Sequence, residues 1–171
     1  MQAFDSLSRD IQQYIYDKGW PSLTHIQNAA IKQVANTDHN LILSAPTASG
    51  KTEAAFIPAL NSVEDWETGL KVLYISPLKA LINDQFHRIS ELSEYLDIPI
   101  TRWHGEVSQA QKKKVVNQPK GVLLITPESI EGMLVNRPGE AQHLFKGVEW
   151  IIIDELHSFL GTERGIHLQS L

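Results

Sequence analysis

The chain contains no cysteine among its 171 residues, which removes disulfides, thiolate metal sites and cysteine nucleophiles from consideration. Nor does any run approach the roughly 18 consecutive apolar residues that a membrane span needs. The opening stretch, with Asp5 and Asp10, lacks the basic-then-apolar layout of a signal peptide. These absences predict a cytoplasmic protein with no membrane partner. Positive charge is also scarce: 15 Lys and Arg stand against 20 Asp and Glu, a net charge of −5. Coating of nucleic acid by bulk attraction is thereby excluded, although local basic contacts to phosphate are not. The 7 histidines show no ligand-like spacing with carboxylates, so any metal must arrive with a ligand. What is present, 42% hydrophobic and 20% charged residues, suits one globular domain with its own core.

Five short apolar runs read as strands: Leu41 to Leu43, Val72 to Ile75, Ile98 to Thr101, Val122 to Ile125 and Trp150 to Ile153. Segments of helical spacing lie between them, as in Leu78, Leu81, Ile82, Phe86, Ile89, Leu92 and Leu96. Alternating strands and helices, with strands apolar on both faces, predict an α/β fold with a parallel sheet and helices on both faces. Two further helices, Ser8 to Lys18 and Thr24 to Ala35, are expected before the first strand, separated by Gly19-Trp20-Pro21.

Directly after the first strand comes Ala45-Pro46-Thr47-Ala48-Ser49-Gly50-Lys51-Thr52, followed by a helical segment from Glu53. Strand, loop, lysine and helix in that order form the tail of a phosphate loop, where successive backbone N–H groups wrap a polyphosphate and the helix directs its positive end at the same charge. Gly50 permits close approach. Lys51 reaches the β- and γ-phosphates of ATP, and the Thr52 hydroxyl holds the Mg2+ that bridges them. The opening glycine of the general pattern is Ala45 here. Without a bound nucleotide the same residues would be a serine-rich turn with an exposed lysine, but a preceding strand argues against that reading. The last apolar run ends in Asp154-Glu155-Leu156-His157, at the carboxyl edge where open α/β sheets bind their ligands. An acidic pair there is commonly a solvated helix start. Paired with Lys51, Asp154 becomes a metal ligand and Glu155 the group that orients and deprotonates the attacking water.

With these two boxes the chain resembles the DEAD/DExH-box helicases of superfamily two, and specifically their first RecA-like P-loop NTPase domain. Asp154-Glu155-Leu156-His157 stands as Walker B. Ser76-Pro77-Leu78-Lys79-Ala80-Leu81 is similar to motif Ia and Thr126-Pro127-Glu128-Ser129 to motif Ib. The resemblance implies that Pro77, Lys79, Gly105, Thr126, Pro127 and Glu128 contact a nucleic-acid backbone. Gly19 to Gln27 resembles the Q motif, which implies that Gln27 reads adenine, with Phe4 and Trp20 as aromatic neighbours of the base. Arg164-Gly165-Ile166-His167-Leu168 looks most like the large helicase-related (Lhr-like) group, DNA-translocating ATPases acting on single strands. Trp103-His104-Gly105-Glu106 departs from that group's usual stretch. The resemblance also implies an activating arginine finger from a second RecA-like domain, expected beyond Leu171 together with motif III. His157 is implied to couple the ATP site to that domain.

Several features have structural readings of equal standing. Thr24 and Gln27 form a helix capping box without any nucleotide. Thr126 before Pro127 is an N-cap with proline at the first helical position, and a helix start with free N–H groups also suits phosphate. Lys112-Lys113-Lys114, in a helix opened by Ser108, reads as a solvated face. His104 reads as a hydrogen-bonded structural residue. The expected function is the ATP-binding half of an ATP-dependent helicase or translocase, on single-stranded or partly duplex nucleic acid, DNA favoured over RNA. The rival readings are an RNA helicase of the same superfamily, a phosphate-loop kinase and a non-catalytic nucleotide-binding module.

Overall fold

The computed structural model describes residues 3–46 and 48–170. The chain forms two compact units, residues 1–64 and 65–171. No described helix is long and apolar enough to cross a membrane.

The first unit is built from a 3-10 turn, Phe4–Ser6, and helices α1 (Arg9–Asp17), α2 (His25–Asn36) and α3 (Lys51–Ser62). Side-chain chemistry starts the first two helices where expected. The Ser8 hydroxyl accepts the Ile11 N–H, and Thr24 with Gln27 makes a complete capping box. Gly19, at φ +64°, supplies the left-handed turn between them. Ile11, Tyr14 and Ile15 of α1, Ala30 and Ile31 of α2, and Phe56, Ile57 and Leu60 of α3 are buried. Asn61 ties the turn to α3, accepting the Ser8 N–H at 2.6 Å and donating to the Ser6 carbonyl at 3.3 Å.

The second unit is a four-stranded parallel sheet of β1 (Gly69–Ile75), β2 (Ile100–Trp103), β3 (Lys120–Ile125) and β4 (Trp150–Ile153), ordered β2-β3-β1-β4. Helices α4 (Lys79–Tyr95), α5 (Gln109–Asn117), α6 (Pro127–Asn136) and α7 (Pro138–Phe145) connect the strands, and α8 (Glu163–Ser170) follows them. Leu73, Ile75, Leu123, Ile125 and Trp103 turn one face of the sheet toward Ile130, Met133, Ala141 and Leu144 of α6 and α7, with Val115 and Val116 of α5 at the margin. Val72, Tyr74, Val122 and Leu124 alternate to the other face and are equally buried. A bulge at Lys71 breaks the β1–β3 register between Leu70 and Val72. The Lys71 backbone carbonyl accepts the Glu149 N–H at 2.9 Å and its ammonium pairs with the Glu149 carboxylate at 2.8 Å, which anchors the approach to β4.

The α/β class and parallel sheet agree with the sequence reading, with one strand fewer. Leu41 to Leu43 is not a strand: it has no ladder partner among the described residues, and Ile42 is 84% exposed. A run of three residues closes too few ladder bonds to be ordered by apolar character alone. The strand expected at Ile98 begins at Ile100 instead, after Pro99, whose carbonyl accepts the Val122 N–H at 2.8 Å. The lysine run is not uniformly solvated either. Lys112 is buried, its ammonium 5.8 Å from the centroid of the core residue Trp103.

Candidate ATP site and nucleic-acid contacts

The predicted phosphate loop ends at the N-terminus of α3. Gly50, at φ +84°, occupies the N-cap and Ala48 also takes a left-handed conformation at φ +61°. Among the described residues no side chain caps α3, so the N–H groups of its first turn keep their capacity to bind an anion. The Ser49 hydroxyl is buried and has no hydrogen-bond partner among the described residues. Lys51 bends back so that its Nζ donates to the Ala45 carbonyl at 2.7 Å. Thr52 is half-buried in the first turn, Pro46 is exposed, and Thr47 lies outside the described residues.

Gln27 joins this loop to α2. Its Oε1 accepts the Thr24 N–H at 2.9 Å and its Nε2 donates to the Gly50 carbonyl at 3.4 Å. The cap and the contact with the phosphate loop therefore coexist. A Cβ at Gly50 would lie 2.5 Å from that Nε2 and push the amide aside, and at φ +84° a side chain there would also strain the backbone. Trp20 is half-buried and edge-on to Tyr14, with ring centroids 6.3 Å apart. Phe4 is half-buried in the 3-10 turn, where its carbonyl accepts from Gln12 at 3.1 Å.

In the second unit Asp154 follows β4 and is held at both oxygens. Its Oδ2 accepts the Tyr74 hydroxyl and its Oδ1 accepts the Glu155 N–H at 2.9 Å. Burial, then the Asp154 charge, pushes the Tyr74 phenol far above its ordinary range, so the ring remains a neutral donor. Glu155 has φ +51°, one of three positive-φ residues other than glycine among those described, with Ala48 and Asp97. A left-handed non-glycine residue stores roughly 1–3 kcal/mol and clusters at functional sites. Glu155 Oε2 lies 3.2 Å from His157 Nε2. Among the described residues no group of three His, Asp or Glu forms a ready-made metal cage.

The residues proposed to touch a strand gather around the ends of β1, β2 and β3. Pro77 is buried after β1, and Lys79 opens α4 with its ammonium on the Glu106 carboxylate. That contact holds the Glu106 carboxyl below its usual range. Gly105 is exposed, with open space where a Cβ would stand. Thr126 and Pro127 open α6 as expected, with Glu128 exposed in its first turn, but the Thr126 hydroxyl does not cap the helix. It lies 2.9 Å from the Ser129 hydroxyl, which draws it away from the helical N–H groups. His104 is a structural histidine, buried, with Nε2 3.1 Å from Asn83 Oδ1 and Nδ1 accepting the Glu106 N–H at 3.4 Å. Burial, reinforced by Arg102, lowers its pKa from the ordinary value and so favours the neutral ring that this pattern needs. The side chains of Arg164, His167 and Leu168 lie outside those described, whereas Gly165 is explained by packing: a Cβ there would fall 1.8 Å from the Phe159 carbonyl oxygen.

An ATP-dependent helicase Lhr-Core from Methanocaldococcus jannaschii is 29% identical, over 98% of this chain and 21% of its own length. The Lhr helicase/uracil glycosylase of Escherichia coli is 35% identical over 85% of this chain and 11% of its own length. The chain thus spans about a fifth or less of these relatives. A solved structure of Mycobacterium smegmatis helicase Lhr bound to ssDNA and AMP-PNP superposes with a TM-score of 0.85 at 28% identity, covering 98% of this chain and 22% of that one. Residues 24–171 match the DEAD/DEAH box helicase family, from the capping threonine of α2 through the acidic pair and α8, and the chain belongs to that family.

Proposed function

We propose that this chain is the ATP-binding motor domain of an ATP-dependent helicase or translocase that moves on single-stranded DNA when joined to a second RecA-like domain. The observation that carries the reading is the phosphate loop itself, with an α3 N-terminus uncapped and a Ser49 hydroxyl unpartnered among the described residues, and with Gly50 close against Gln27. Lys51 leaves the Ala45 carbonyl to meet the β- and γ-phosphates, and Gln27 reads the adenine, flanked by Phe4 and Trp20. The Thr52 hydroxyl in the first unit and the Asp154 carboxylate in the second are each of the kind that would hold Mg2+, and the ion would supply neutralisation of phosphate charge. Asp154 suits that role because Tyr74 and the Glu155 N–H fix both its oxygens. Glu155, turned by its left-handed backbone, takes the proton of the attacking water, and the pairing with His157 orients its carboxylate. Lys79, Gly105 and the starts of α4 and α6 grip a phosphodiester backbone, with Pro77 and Pro127 shaping the two turns. The ssDNA-bound relative supports DNA as the strand.

Two titrations test this reading. In calorimetry with magnesium and ATP, Lys51→Ala weakens binding about 10- to 100-fold, the loss of one or two charge-assisted hydrogen bonds worth about 1.5–3 kcal/mol. Equal affinity for the two proteins would remove the loop from the site. In fluorescence anisotropy, oligo-dT binds weakly and without sequence preference. Its log affinity falls with log salt by about 0.7 for each phosphate neutralised. Tight, salt-insensitive binding of one sequence would contradict backbone recognition, and preference for oligo-U over oligo-dT would make the strand RNA.

A further inference from the structure

Lys79 is the one residue of motif Ia that offers a positive charge to a strand, and its charge is already answered. The ammonium sits on the carboxylate of Glu106, 27 residues away, with the two side chains 58% and 63% exposed. The partner is not there by chance of a floppy loop. Glu106 donates its N–H to His104 Nδ1, His104 Nε2 meets Asn83 Oδ1, and the same oxygen accepts Arg102 Nη1 at 2.8 Å. Asn83 lies one helical turn beyond Lys79 on α4. The frame that presents the carboxylate is therefore fastened to the helix that carries the lysine. Arg102 is itself held over the Phe86 ring at 4.9 Å, so the frame is packed as well as hydrogen-bonded.

A carboxylate and a phosphodiester oxygen make the same charge-assisted bond to an ammonium. We propose that Glu106 is a phosphate surrogate: it occupies Lys79 until a nucleic-acid phosphate displaces it, so that each strand is bound in competition with the protein's own carboxylate. The inference rests on Lys79 being a strand contact. It has a consequence that simple repulsion lacks. Affinity from a lysine–phosphate contact comes from counterions released by the strand, and a lysine neutralised in advance must first give up its own partner. Exchange of carboxylate for phosphate frees the carboxylate to collect a cation, which cancels the cation released from the strand at that position. Lys79 thus contributes little to the salt slope while Glu106 is present.

The experiment measures labelled oligo-dT binding by fluorescence anisotropy at several salt concentrations, for the wild-type chain, Glu106→Gln, Lys79→Ala and the double variant. Circular dichroism confirms that each remains folded, as exposed positions allow. Glu106→Gln should tighten binding about two- to fivefold at low salt, as expected for an exposed ion pair, and steepen the log–log slope by about 0.7. Lys79→Ala should weaken binding, and in its background Glu106→Gln should change neither quantity. Equal tightening with and without Lys79, or an unaltered slope, would overturn the surrogate while leaving Lys79 as a strand contact. Binding that is indifferent to Lys79→Ala in the otherwise wild-type chain, or no binding by any of the four proteins, would instead remove the strand contact and the surrogate with it.

Discussion

Residues 1–171 alone should hydrolyse ATP scarcely faster than background, and addition of the second motor domain with single-stranded DNA should raise the rate by about 10³ to 10⁵. Phosphoryl transfer gathers charge on the γ-phosphate, and that factor is what an arginine finger contributes when it meets the charge. Among the described side chains, two arginines near the later motifs are committed elsewhere. Arg102 donates to Asn83 and lies over Phe86, and Arg137 pairs with Glu140 at 3.3 Å. Glu155→Gln should abolish the restored rate and spare ATP binding, because it removes the base and keeps the shape. Rates come from a coupled phosphate-release assay, with a calorimetric titration alongside. Brisk turnover by residues 1–171 that disappears in Glu155→Gln would show a complete site and refute the split motor.

The second large effect concerns the sheet. Gly121→Ala should lower the stability of the chain by about 3 kcal/mol or more, from backbone strain added to a steric clash. Gly121 sits in β3 opposite the register shift at φ +69°, where an alanine Cβ would fall 1.9 Å from the Pro99 carbonyl oxygen. That oxygen accepts the Val122 N–H, so it cannot retreat without breaking the link between β3 and the approach to β2. Urea denaturation followed by circular dichroism reads the effect as a lower midpoint at an unchanged slope. A midpoint equal to wild type would mean that Pro99 does not press on this position.

Short-range chemistry was readable from the sequence, and side-chain meetings across the fold were not. Ser8, Thr24 and Ser108 announce α1, α2 and α5 because a cap is a bond between residues three apart. The runs of β1, β3 and β4 announce a parallel sheet through their continuous apolar character. Leu41 to Leu43 carries the same character without forming a strand, since a ladder needs a neighbour that composition cannot specify. Thr126 before Pro127 predicts a capping side chain, but Ser129 offers its hydroxyl a competing partner at the same spacing as a capped N–H. The boxes around Lys51 and Asp154 are contiguous and therefore legible. The contacts of Tyr74 with Asp154, 80 residues apart, and of Gln27 with Gly50, 23 apart, depend on register and helix packing, and no pattern in the chain marks them.

Gln27 makes the start of α2 and the turn of the phosphate loop energetically dependent on one another. Any ligand that shifts the Gly50 carbonyl also alters the amide that closes the first turn of α2, and a helix cap is worth about 1 kcal/mol. Linkage is reciprocal: whatever the loop loses when α2 frays, α2 loses when the loop is displaced. If the loop holds the phosphates and Gln27 the base, as proposed, the two ends of the nucleotide are sensed through one side chain. Under the proposed role of Gln27, a nucleotide with the wrong base and one with the wrong number of phosphates would disturb the same glutamine, so that each error would be felt at the far end of the ligand.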